Sequence, residues 1–199
     1  MLILALGLTL NAESNLGSSP IISIPYTLSF LCPVSFANLT LGIYILFVIL
    51  EFILKGKDRR WTDILQIPLS IIFTRFLNLF TQWFDFTDSS LGVRLAVLAA
   101  AIICTGVGAA LTVNMSLVAN PGDGFVQSVA MCIHKDLGTA KNFVDITCVI
   151  IATIIGFAAA GSLVGVGLGT LIAMIGVGRV IALFNYLFQE RLRSQAFPA

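Results

Sequence analysis

Two arginines stand deep inside apolar runs, Arg75 in IIFTRFLNLF and Arg179 in MIGVGRVIALF. A charge at membrane depth is costly, so such a side chain faces a partner or a water-filled cavity. The expectation is that both coordinate a charged group on a bound solute. The structural alternatives are ion pairs with Asp145 or Glu51, contact with a backbone carbonyl, or snorkelling to the interface. Asp123 and Gln127 are four residues apart and share a face of a short helix. Asn11 and Asn114 occupy corresponding places where helices break, and Ser19 precedes Pro20. Gln66 and Thr170 are single polar residues in apolar surroundings. These nine residues form the candidate substrate-binding set. Asp145 and Glu51 each have a lysine four residues away, Lys141 and Lys55, which suits an i,i+4 pair.

Catalytic chemistry finds no such set. His134 is the only histidine, and Cys32, Cys104, Cys132 and Cys148 form no CxxC pair. Gly165, Gly167 and Gly169 follow no strand and precede no lysine, so they are not read as a phosphate loop. Close helix packing is their expected role, as for Gly176 and Gly178. No enzyme activity, metal or cofactor is expected.

The elements that position these residues follow from composition. The chain has 199 residues, of which 58% are hydrophobic and 11% charged. Its mean hydropathy is +1.00. A soluble domain is about 25% charged, so a lipid bilayer must cover much of this surface. The net charge of +1 gives no electrostatic case for nucleic acid. A spanning helix needs roughly 20 mainly apolar residues. Residues 38–55, 61–84, 91–116, 140–160 and 164–189 meet that requirement. Residues 1–12 form a shorter apolar helix that stops partway across. Trp61, Trp83 and Tyr186 fall near predicted ends, where amphipathic rings prefer the interface. Two stretches, 18–33 and 121–135, are too short and interrupted to span. Ser19-Pro20 and Asn120-Pro121 begin them with N-cap and first-turn chemistry, so both are read as short, re-entrant helices. The expected fold is all-α and polytopic, with about six transmembrane helices and two short ones in a single membrane domain, 1–199.

Lys55, Lys57, Arg59 and Arg60 cluster in one loop, which the positive-inside bias places in the cytoplasm. Lys135, Lys141, Arg191 and Arg193 then fall on the same side, and both termini are cytoplasmic. Asp85 and Asp88 fall outside.

The halves resemble each other. Thr9-Leu10-Asn11 matches Thr112-Val113-Asn114, and the run from Arg75 to Phe80 matches that from Arg179 to Phe184. Residues 1–88 and 89–199 are read as structural repeats. Three crossings per repeat would make the second inverted, the architecture of many secondary transporters.

The motifs Asn15-Leu16-Gly17-Ser18-Ser19-Pro20 with Pro25-Tyr26, Leu65-Gln66-Ile67-Pro68, Asn120-Pro121-Gly122-Asp123-Gly124-Phe125-Val126-Gln127 and Gly165-Val166-Gly167-Leu168-Gly169-Thr170 carry a further signal. Together they resemble the YczE/YyaS/YitT-type bacterial membrane proteins, most closely the YczE-like branch. The resemblance covers nearly the whole chain and implies a bacterial inner-membrane protein. The first helix is shorter than in that pattern, and Arg179 replaces a less basic residue.

The functional expectation is a small secondary-transporter-like protein that moves an anionic or zwitterionic small-molecule solute through a central site. The alternative is a substrate-binding or regulatory subunit without its own transport cycle. Glycine-rich faces suit packing within one chain or across a homodimer.

Overall fold

The computed structural model describes residues 1–58, 61–114 and 118–196. Arg59 and Arg60 of the basic loop lie outside the described residues, as does the expected end of the third long span at Ser116. Among the described residues there are eight α-helices and no strand. They are α1 (Leu2–Glu13), α2 (Ser23–Leu31), α3 (Phe36–Lys55), α4 (Gln66–Trp83), α5 (Leu91–Asn114), α6 (Pro121–Ile133), α7 (Leu137–Ala160) and α8 (Leu168–Ala196). A 3-10 turn, Pro20–Ile22, leads into α2.

Five segments are long and apolar enough to cross a bilayer: Phe36–Lys55, Asp63–Trp83, Leu91–Thr112, Leu137–Ala160 and Leu168–Phe188. The protein is an all-α, polytopic, membrane-embedded chain. The expected sixth span corresponds to α1. At 12 residues it reaches roughly 18 Å, against a hydrocarbon core of about 30 Å.

Local chemistry sets the helix limits. Ser35 caps α3 through the amide of Asn38, and Asp136 caps α7 through the amide of Thr139 at 2.9 Å. Asn120 caps α6, its Oδ1 accepting from the Gly122 amide at 3.0 Å. Pro121 then occupies the first helical turn, where its missing N–H costs nothing. His134 ends α6 in a left-handed conformation. Trp61, Trp83 and Tyr186 are exposed, as rings at a membrane interface would be.

One boundary differs from expectation. α8 begins at Leu168, not near Val164. Gly161 and Gly165 have φ of +67° and +76°, so the glycine-rich segment forms a loop. Gly167 and Gly169 pack against the loop at residues 16–17, and Gly165 packs against Thr27 of α2. A Cβ on Gly167 would lie 2.4 Å from the Leu16 carbonyl oxygen, and one on Gly17 would lie 2.6 Å from the Gly167 nitrogen. The Gly169 amide donates to Leu16 O at 2.7 Å, and the Ser18 amide to Gly165 O at 3.2 Å. Thr27 Oγ1 donates to Val164 O at 3.0 Å.

α1 and α5 form the most extensively packed helix pair. α4 packs on α1, and α8 packs on α5. Beside this row, α2, α3, α6 and α7 close a ring of contacts, with α2 touching α3 and α7, and α6 touching the same two. Phe47 of α3 stacks on Phe125 of α6 with centroids 4.9 Å apart. The 3-10 turn that leads into α2 meets the N-terminal end of α6. A Cβ on Gly122 would lie 2.8 Å from Ile21 Cδ1.

Candidate functional site

A cavity of about 40 Å³ lies where that turn meets the start of α6. That volume holds about three water molecules. Ser19, Pro20 and Ile21 line it from the 3-10 turn before α2, and Asn120, Gly122 and Asp123 from the start of α6. Tyr44 of α3, Thr105 of α5, and Lys141 and Asp145 of α7 complete its polar wall. Leu4 and Leu8 of α1 and Val177 of α8 supply apolar cover.

The wall is unusual in its unpaired groups. Lys141 Nζ sits 3.0 Å from Asp145 Oδ2. Asp145 Oδ1 has no hydrogen-bond partner among the described residues, although Asp145 is only 1% exposed. The Thr105 hydroxyl and Asn120 Nδ2 are likewise buried and unpartnered. Tyr44, buried in α3, stands beside Asn120 on this wall. Asp123, in the first turn of α6, faces the same cavity. Burying such groups unpaired costs on the order of 1–3 kcal/mol each. Several such groups gathered around one small cavity make this the candidate site.

A second polar cluster borders the first. Glu51 of α3 is fully buried. Lys55 Nζ lies 2.5 Å from its Oε1 and 2.9 Å from Asp63 Oδ2. Gln66 Nε2 donates to both Glu51 oxygens at 3.1 Å. α6 approaches this cluster through Gly124, the residue after Asp123.

The structure gathers only part of the sequence-derived set. Asp123 and Ser19 line the cavity together. Gln127 is partly buried and lies outside the cavity wall. Gln66 belongs to the Glu51 cluster. Thr170 is buried beneath the laced loops, its hydroxyl accepting from the Gly167 amide at 3.2 Å. Asn114 donates to Ala110 O at 2.8 Å and to Asn185 Oδ1 at 2.6 Å, tying α5 to α8. Asn11 is fully buried in α1, and neither side-chain polar atom has a partner among the described residues. Arg75 and Arg179 are exposed on α4 and α8 and do not line the cavity. Tyr44, Thr105, Asn120, Lys141 and Asp145 line it without being in that set. The Lys141–Asp145 spacing was the available signal, since it offers a buried pair as readily as an interfacial one. Tyr44 and Thr105 carried no sequence signal.

The chain matches DUF6198, described as a family of unknown function, over residues 1–186. It belongs to this family. No curated protein and no solved structure matches it. The DUF6198 match spans α1 to most of α8, so both short helices and every cavity-lining residue fall within the family's extent.

Proposed function

We propose that this DUF6198 protein is a small secondary-transporter-like membrane protein whose cavity at the start of α6 binds and passes a small polar solute. The observation that carries the reading is the meeting of the Pro20–Ile22 turn that leads into α2 and the N-terminal end of α6 at a cavity with buried, unpaired polar atoms. Short helices that end inside the membrane present free N–H groups and a positive dipole end to a ligand.

The helix pairing supports an inverted-repeat reading with halves 1–88 and 89–199. If α1 to α4 correspond to α5 to α8, then α1·α4 corresponds to α5·α8, α2·α3 to α6·α7, and α2·α7 to α6·α3. All six contacts occur. A two-fold relation between the halves generates that pattern. The charge distribution supports a cytoplasmic basic loop, and the sequence motifs support a YczE-like, inner-membrane protein.

Reconstitution into liposomes tests the reading. Uptake of a labelled solute that is abolished in Asp123→Asn supports a transport cycle through the cavity. Tight solute binding without flux across the vesicle wall would instead support a substrate-binding subunit.

A further inference from the structure

The chemistry of the unpaired groups narrows the ligand, on the premise that the cavity is the solute site. Two carboxylates and one ammonium meet there. Lys141 is occupied by one oxygen of Asp145. Asp145 Oδ1 is left open, and Asp123 is in no hydrogen bond or ion pair among the described residues. These oxygens call for a donor with positive charge. Asn120 Nδ2 on the same wall is an orphaned donor and calls for an acceptor. Thr105 Oγ1 serves either role. A bare cation would leave Asn120 unsatisfied, and a bare anion would meet two carboxylates. Room for about three waters admits a solute of only a few heavy atoms.

We infer that the cavity takes a compact zwitterion, with its primary ammonium between Asp123 and Asp145 Oδ1 and its carboxylate toward Asn120 Nδ2 and Thr105. Asp123 and Asn120 are then the two specificity-determining residues, one for each end of the ligand. Asn120 has a double duty, since its Oδ1 caps α6 while its amide nitrogen is free for the ligand.

The test is titration calorimetry and thermal shift of the whole purified chain in detergent. The probes are glycine, methylammonium chloride, sodium acetate, and sodium chloride against N-methylglucamine chloride at equal ionic strength. Glycine is expected to bind and to raise the melting temperature. Methylammonium and acetate, each supplying half of the ligand, are expected to bind at least about tenfold more weakly. Asp123→Asn is isosteric and is expected to weaken glycine at least about tenfold while retaining a cooperative melt. Asn120→Ser keeps a helix-capping oxygen and loses the amide donor. It is expected to weaken glycine while leaving methylammonium unchanged. Methylammonium or sodium as effective as glycine would make this a cation site and overturn the inference. Acetate as effective as glycine, no response to any probe, or glycine binding undiminished in Asp123→Asn would overturn it equally. Flux separates this from the transport proposal. Asp123-dependent glycine binding without vesicle uptake would remove transport and keep the ligand class. Asp123-dependent uptake of another solute without glycine binding would do the reverse.

Discussion

Gly124 of α6 faces Glu51 of α3 so closely that a Cβ there would lie 2.5 Å from Glu51 Oε2. The same Cβ would lie 2.9 Å from Gln66 Oε1. No side chain longer than a hydrogen fits without moving a hydrogen-bonded cluster of three helices' worth of packing. The residue before it, Asp123, faces the cavity. The glycine therefore lets α6 approach α3 while its neighbour lines the cavity.

Gly124→Ala should destabilise the protein by about 1–3 kcal/mol through overpacking. Thermal melts in detergent measure this. A double variant with Glu51→Ala should lose less than the sum of the two single changes, because the clash and the charge share one space. Strict additivity would place the two residues apart.

Lys141→Met removes the partner of a carboxylate that is 1% exposed. Breaking one side of a buried pair costs about 3–5 kcal/mol. Lys141 retains some exposure, so the lower end is expected. Asp145→Leu added to Lys141→Met should recover much of the loss. A double variant as unstable as Lys141→Met alone would mean that the pair is already well solvated.

Gly17 has φ of +112° and leaves no room for a Cβ between Thr170 and Gly167. Gly17→Ala combines backbone strain with a clash, and a loss of about 2 kcal/mol or more is expected. Gly42, whose added Cβ would meet nothing within 4 Å, is the control. Gly42→Ala should melt at or above the wild-type temperature, since alanine favours a helix by roughly 0.5–1 kcal/mol.

Asp136 caps α7 outside the spanning core. Its bonds from Thr139 hold the carboxyl below its ordinary value of 3.8. A lowered acid pKa contributes stability above the unfolded value, and that contribution is lost as pH falls through the folded one. The melting temperature of the wild type should therefore drop more steeply below about pH 4 than that of Asp136→Asn, whose cap does not titrate. Parallel pH profiles for the two proteins would mean that the cap is not formed in solution.

The sequence made the helices legible and the azimuths illegible. Hydropathy placed α3 within two residues of its observed start, because the long apolar run begins there; the Ser35 cap that sets the start was not part of that signal. Asn120-Pro121 located α6 through its cap and first-turn proline. The segment before α8 read as helix because glycine and valine are apolar enough to pass as a span. Gly161 takes its positive φ locally, as the left-handed cap of α7, whereas that of Gly165 is set against Ser18 and Thr27, more than a hundred residues away. Arg75 and Arg179 show the second limit. An apolar run fixes depth in the bilayer, and rotation about the helix axis depends on neighbours. Both arginines turned outward. Gln66 joins Glu51 across 15 residues and a change of chain direction, a pairing that no periodicity encodes.

The seam between α1 and α5 has a mechanical consequence. A Cβ on Gly7 would lie 2.5 Å from the Thr105 nitrogen, and one on Gly108 would lie 2.6 Å from the Leu4 nitrogen. Two notches, one cut into each helix, interlock backbone against backbone. Sliding either helix along the other would drive a main chain through a main chain, so the pair must travel as a single rod. Leu4, Leu8, Thr105 and Ala109 sit on that rod and form one wall of the cavity. Any widening of the chamber must therefore swing the rod as a whole away from the start of α6, with its pivots in the flanking connections and not in the seam itself.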